Sequence, residues 1–424
     1  MSPPDLKVAD LFAGAGGLSV GFHSAGFESV FFNEIEERAA ATFSLNFPKT
    51  AAFVCPVEEL SAERIRYESG LEDDDLDVMV GGPPCQGFSI NAPVRSNQDA
   101  RNHLFRHFAR IVLEGIRPKF VLIENVPGLV SLGGGTTLQN VETAFEQAGY
   151  RVVYKILNAA HYGAPQERWR LFFLGTRLSG VELSFPPPRH YSVQRPNFTG
   201  GRDHIFRHAI SNGAQNGLFD EPLRSSATVE EAIGDLPSIP SGGGAAEMAY
   251  ARPAGNDYQS RMRRGATTLH NHECANMSAV NLERMHHVNP GGSWRDIPFE
   301  LLPAGMRRAK RSDHTRRYGR LHPERMSPTI MTKCDPHWGT VVHYEQDRII
   351  SVREAARIQS FPDWFRFKGP KVEQYRQVGN AVPPLLAQAV AEHIKSLLPP
   401  NGAYEAADRD PVVNPRKNRS LAAG

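Results

Sequence analysis

The chain has 424 residues, of which 40% are hydrophobic and 22% charged, with a net charge of +2. This is long for one core, so two domains are expected, and the composition is that of an ordinary globular protein. No apolar run approaches the roughly 18 residues of a membrane helix, residues 1–7 hold no secretory apolar segment, and Cys55, Cys85, Cys274 and Cys334 are too scattered for a CxxC zinc site or a disulfide framework, as in a reducing cytoplasm.

Residues 7–12 form a short apolar segment that ends at Gly14, Gly16 and Gly17, which predicts a buried strand and a tight turn. Residues 18–25 follow as a helix closed by Gly26. Further strands are predicted at 29–32, 78–80, 120–123, 151–157 and 171–175, and helices at 104–115 and 138–149. This alternation predicts an α/β fold with a doubly wound, mostly parallel sheet. The chemically distinctive residues, Gly14, Glu34, Cys85 and Glu124, follow strand ends, where open α/β sheets bind ligands.

After Phe185-Pro186-Pro187-Pro188 the chain becomes rich in Pro, Gly, Asn and Arg, with weak periodicity, and Ser241-Gly242-Gly243-Gly244 reads as a flexible insertion. Between Arg252 and Arg320 there are 13 Arg and Lys against 6 Asp and Glu, with histidines interleaved, which suggests a face that binds a polyanion. Periodicity returns at 352–360 and at 385–398, where Leu386, Val390, Ile394 and Leu397 share a helical face. The expected organisation is a catalytic and cofactor-binding domain over 1–180, a smaller irregular recognition domain and hinge over 181–375, a helix at 376–398 that returns to the first domain, and a disordered tail over 399–424.

The glycine turn lets a backbone approach a ligand closely, and Glu34, ending the next strand, suits ribose hydroxyls. A dinucleotide GxGxxG pattern would need glycine at position 19, where Ser19 stands, so a nucleoside cofactor fits better. Cys85 follows Pro83-Pro84, whose stiff backbone suits a held nucleophile. Glu124 ends an apolar strand, where desolvation would raise its pKa and favour proton handling. Arg168 and Arg170, two residues apart, fall on one side of an extended segment and can orient an acid, a base carbonyl or a phosphate.

These segments occur in order: Asp10-Leu11-Phe12-Ala13-Gly14-Ala15-Gly16-Gly17, Asn33-Glu34, Pro83-Pro84-Cys85-Gln86, Glu124-Asn125-Val126, Gln166-Glu167-Arg168-Trp169-Arg170, Arg325 with Pro328-Thr329-Ile330, and Gln377-Val378-Gly379-Asn380-Ala381-Val382-Pro383. The chain thereby resembles the DNA (cytosine-5) methyltransferases of bacterial type over most of residues 7–395. The resemblance implies a Rossmann-like methyltransferase fold, S-adenosylmethionine as cofactor and a flipped-out cytosine of double-stranded DNA as substrate. It implies Cys85 as nucleophile on C6, Glu124 as the acid at N3, and Arg168, with Arg170 beside it, at the ring carbonyl. Phe12, Gly14, Gly16, Gly17 and Leu18 would line the cofactor, Glu34 would hold its ribose and Ile35 its adenine, with Pro83, Leu104, Asn380 and Ala381 completing the pocket.

One departure stands out. The family usually carries an acid for the adenine amino group near residues 55–57, where this chain has Cys55-Pro56-Val57. Arg307, Arg308 and Arg311 are candidate DNA contacts in the recognition region. The expected enzyme is a cytoplasmic, nucleoid-associated bacterial monomer, without membrane contact, either solitary or serving a restriction–modification system beside an endonuclease it does not touch. The rivals are a tRNA cytosine-5 methyltransferase and an inactive DNA-binding regulator.

Overall fold

The structure, a computed structural model, describes residues 6–83, 104–193, 196, 198, 201–210, 222–310, 312 and 316–399. Seven strands form the main sheet: β1 (Leu6–Leu11), β2 (Phe27–Asn33), β3 (Ala51–Phe53), β4 (Val78–Gly81), β5 (Phe120–Asn125), β6 (Arg151–Asn158) and β7 (Trp169–Thr176). Their order is β3-β2-β1-β4-β5-β7-β6, and only β7 runs against its neighbours. The chain winds outward from β1 in one direction and from β4 in the other, so the order reverses between these two strands. In sheets of this kind that reversal opens a crevice at the carboxyl ends.

The strands are apolar throughout because both faces are covered. Alternation sends Val8, Val78, Val80, Phe120 and Leu122 to one core, and Ala9, Leu11, Met79, Val121 and Ile123 to the other. The second core is filled by Ile65 of α3 (Ala62–Ser69), Phe108 and Ile111 of α4 (Leu104–Ile111), and Val141 and Phe145 of α5 (Thr136–Gln147). The first core holds Phe22 of α1 (Gly17–Ser24) and, from the far end of the chain, Leu386, Val390 and Ile394. The helical face read from the C-terminal segment is therefore the buried one. A third cluster joins Phe43 of α2 (Glu37–Asn46) to Val229, Tyr344, Ile358 and Val378.

Beyond the main sheet the chain forms short elements. These are strand pairs β8 (His190–Tyr191) with β9 (Arg224–Ser225), β10 (Gly244–Met248) with β11 (Leu269–Glu273), and β12 (Gly319–Arg320) with β13 (Thr340–Val342). Between them lie α6 (Val229–Ile233), α7 (Asp257–Arg263) and α8 (Ala279–His286), followed by α9 (Val352–Ile358), α10 (Lys371–Asn380) and α11 (Pro384–Leu397). Several ion pairs inside this region are buried. Arg348 holds Glu354 at 2.7 Å, and Arg357 holds Asp363 at 2.6 Å and Asp235 at 3.0 Å. Removing one partner of such a pair leaves a buried charge uncompensated.

The expected flexible stretch at 241–244 is instead an ordered turn into β10. Gly244 has φ +93°, and a Cβ there would overlap the His272 carbonyl, so glycine permits the strand pair to close. The helix expected over 104–115 stops being α-helical at Ile111, because Gly115 adopts φ +120°. Helices α2 and α3 and strand β3 escape the sequence reading altogether. Among the described residues, no helix is long and apolar enough to cross a membrane.

Candidate active site

The glycine turn after β1 is shaped by contacts from both ends of the chain. Phe12 adopts φ +58°, outside the usual range for a bulky side chain. A Cβ on Gly17 would lie 2.5 Å from the Val382 carbonyl oxygen and 3.0 Å from the Ala381 Cβ. Glycine is required there because the α10–α11 connection lies directly on the turn. That contact places Ala381 beside residues 16–18, with the exposed Asn380 next to it.

Glu34 closes the other side. One carboxylate oxygen accepts from the Gly14 amide at 2.7 Å and the other from the Glu36 amide at 2.8 Å. Burial nonetheless raises its pKa above the usual carboxylate range. Ile35 beside it is 62% exposed, an apolar side chain left uncovered at a sheet end. Phe12 and Leu104 both pack at the edge of the same core, and Pro83 follows β4, whose Gly81 pairs with Leu11. The predicted cofactor residues thus converge at the carboxyl ends of β1, β2 and β4. Near the missing acid, the Cys55 carbonyl accepts from Asn33 at 2.8 Å, and Glu58 and Glu59 are exposed.

Sequence reasoning missed Asp10, at the end of β1 and only 1% exposed. Ser19 donates to one of its oxygens at 2.7 Å, and the other has no partner among the described residues. Burial, with Glu34 adding repulsion, pushes its pKa to about 7. The ionised form is thus disfavoured by folding. Stability from this group is complete below the unfolded value of 3.8 and is lost as pH rises through about 7. A shift of this size is worth about 4 kcal/mol. Asp10→Asn is therefore expected to gain on the wild type between pH 4 and 7, then hold a constant advantage above that, in thermal or urea unfolding. A stability difference that does not change with pH contradicts this.

Glu124 sits in β5 opposite Phe172 of β7, so Arg170, two residues before Phe172, is its diagonal neighbour on the same face. The Arg170 Nε donates to Glu124 Oε1 at 2.8 Å, and the Glu124 side chain is 14% exposed. Burial raises the Glu124 pKa, against the lowering pull of Arg170 and Arg168. A Cβ on Gly82 would come within 3.3 Å of the other Glu124 oxygen, and Asn125 Nδ2 donates to the Pro83 carbonyl at 3.2 Å. The segment leaving β4 therefore starts against the Glu124 carboxylate. Cys85 itself lies outside the described residues, as do Arg311 and residues 400–424 of the tail.

Of the two arginines expected beside the acid and the ring carbonyl, Arg170 is the one that pairs directly with Glu124. Arg168 is 1% exposed, with Nη1 on the Ile330 carbonyl at 3.1 Å and Nη2 on the Gly379 carbonyl at 2.7 Å. Its Nε has no partner among the described residues. Burial lowers its pKa, yet a guanidinium stays charged in a protein. Arg168 is occupied instead by a strap that sequence spacing does not reveal. Residues 327–330 lie along 165–168: Ser327 N donates to the Pro165 carbonyl at 2.9 Å, Glu167 N to the Ser327 carbonyl at 2.9 Å, and Ile330 N to Gln166 Oε1 at 2.8 Å. Arg168 fastens that strap and the end of α10, while Arg170 faces the acid. Arg307 is likewise committed locally, to the carbonyls of Glu300 and Leu302, whereas Arg308 is exposed.

Known proteins are similar to this chain over most of its length. The sequence model of the C-5 cytosine-specific DNA methylases matches residues 6–396. The type II methyltransferase M.AgeI of Thalassovita gelatinovora is 34% identical, over 92% of this chain and 99% of its own. The type II methyltransferase M1.HphI of Haemophilus parahaemolyticus is 36% identical, over 92% of this chain and 86% of its own. Among solved structures, an Escherichia coli prophage protein assigned as a DNA modification methyltransferase superposes with a TM-score of 0.69 at 26% identity, covering 93% of this chain and 99% of that one.

Proposed function

The chain belongs to the C-5 cytosine-specific DNA methylase family and is a DNA (cytosine-5)-methyltransferase; from that premise we propose that it methylates a cytosine, flipped out of a specific duplex sequence, through a covalent bond between Cys85 and C6. The observation that carries this is the contact of Gly82 with the carboxylate of the Glu124–Arg170 pair. Cys85 is three residues beyond Gly82 in the chain.

Cytosine C5 becomes nucleophilic only after addition at C6. The Cys85 thiolate makes that bond, and Glu124, with its raised pKa, supplies a proton or a hydrogen bond at N3 as negative charge moves onto the ring. Arg170 orients the acid, and Arg168 and Arg170 together provide positive potential for the ring carbonyl. Loss of the C5 proton then lets Cys85 leave by elimination. Neither C5 nor C6 is reachable in a stacked duplex, which is why the base must be extruded.

S-adenosylmethionine fits the second site, where it supplies an electrophilic methyl group when bound. The exposed Ile35, the partly committed Glu34 carboxylate and the uncovered Asn380 leave apolar and polar groups available at the glycine turn. Phe12, Gly14, Gly16, Gly17, Leu18, Pro83, Leu104 and Ala381 form its walls in this reading, with Glu34 on the ribose. Residues 1–180 act as the catalytic domain, 181–375 as the recognition domain and hinge, and 376–398 as the returning helix. The enzyme works as a cytoplasmic monomer on nucleoid DNA, either in a restriction–modification system without touching its endonuclease or alone.

Incubation with methyl-labelled S-adenosylmethionine and either mixed-sequence duplex DNA or bulk tRNA, followed by nucleoside analysis, tests this. Label in 5-methylcytosine of DNA is expected. Label confined to tRNA, or to another nucleoside, overturns it.

A further inference from the structure

Trp338 is 51% exposed, which for a residue of this size leaves a large apolar face in water. It is not a loose side chain. Its amide donates to the Asp335 carbonyl at 3.0 Å, the His337 amide donates to Asp335 Oδ1 at 2.7 Å, and the Tyr318 amide donates to the Pro336 carbonyl at 2.6 Å. The His337 ring stands edge-on to the indole, with centroids 4.9 Å apart, and is itself within 3.3 Å of the Tyr318 hydroxyl. The turn therefore presents the indole in a fixed pose.

Two cations flank the ring. The Arg317 guanidinium lies 5.3 Å from its centroid and the Lys333 ammonium 5.6 Å. Neither makes an ion pair with a carboxylate among the described residues, so both charges remain available to an anion. Arg317 Nη1 also lies 3.4 Å from His337 Nε2, a contact that leaves its charge in place. An exposed aromatic accompanied by two cations that no carboxylate neutralises can take a nucleobase on its exposed face and phosphates beside it.

Its position links it to the catalytic strap. Lys333 is three residues past Ile330, whose carbonyl holds Arg168 at 3.1 Å, a reach of at most about 11 Å between Cα atoms. Gly379, the other anchor of Arg168, packs against the Met331 backbone. On the opposite side, Arg316 lies within electrostatic reach of Glu167, the neighbour of Arg168. Trp338 is thus joined through Lys333 and residues 330–331 to the carbonyl that holds Arg168.

We propose that Trp338 stacks on a base left unstacked when the target cytosine is extruded, while Arg317 and Lys333 neutralise the flanking phosphates. This rests on the methylation reading for its ligand, duplex DNA, but its test needs no methyl transfer. Dissociation constants are measured for the full chain and for Trp338→Ala and Trp338→Phe. Two mixed-sequence duplexes serve as probes, one fully paired and one with a single mismatched cytosine. Trp338→Ala is expected to weaken binding to the mismatched duplex by roughly 5- to 150-fold, the size of one base–aromatic stack. Trp338→Phe restores most of that loss, and the paired duplex changes less than twofold. Arg317→Gln with Lys333→Gln lowers the salt slope by about 2.

Binding by Trp338→Ala within twofold of wild type on both duplexes overturns the proposal, and so does an equal loss on both. A chain that methylates nothing yet shows the mismatch-dependent loss removes the methylation reading and leaves this one standing. A wild-type chain that binds neither duplex removes both.

Discussion

Cys85→Ala is expected to abolish methyl transfer, leaving less than about one per cent of the wild-type rate. The estimate follows from splitting one difficult step into two easier ones through a covalent bond, a gain that an alanine at this position forfeits entirely. DNA binding should survive, because the substitution removes a thiol rather than a charge. Measured together, retained binding with lost turnover separates a chemical role from a structural one. Turnover above a few per cent would remove Cys85 from the mechanism.

Glu124→Gln comes next, with an expected loss of roughly 10²–10⁴ in rate, the range of a positioned general acid. Glutamine keeps the shape and a hydrogen bond to N3 but holds no transferable proton. The pH profile adds a second readout. Burial raises the Glu124 pKa, so the acid keeps its proton to higher pH than a surface carboxyl does. Wild-type rate should fall as pH rises through that value, and the glutamine variant should lack this alkaline limb. An unchanged rate, or an unchanged limb, takes Glu124 out of the acid role.

Much of this was legible in the chain because the informative signals were local. The apolar run Phe120-Val121-Leu122-Ile123 ends at Glu124, and a run of that kind is a strand covered on both faces. Leu386, Val390 and Ile394 lie on one helical face and are buried beside Phe22. The role of Gly17 could not be read from its neighbours. It exists because Val382 arrives on the turn from more than 360 residues away. The division of labour between Arg168 and Arg170 has the same origin. Alternation suggests one side for both, but the strap at 327–330 and the end of α10 occupy Arg168, and neither leaves a periodic trace near residue 168. The glycines at 242–244 misled for a related reason. Glycine marks flexibility in isolation and close approach in a fold, and only the pairing of β10 with β11 distinguishes the two.

Cys85 bonds to the cytosine ring in the proposed reaction, with Glu124 as its acid. That bond is tested most directly with duplex DNA carrying 5-fluorocytosine in place of cytosine. Fluorine at C5 cannot leave as a proton does, so elimination of the thiol is blocked after methyl transfer. In the presence of S-adenosylmethionine, the account predicts a protein–DNA adduct stable to denaturation, with the nucleotide mapped by mass spectrometry to the peptide containing Cys85. A chain that methylates ordinary duplex DNA but forms no such adduct, or forms it on another residue, contradicts it.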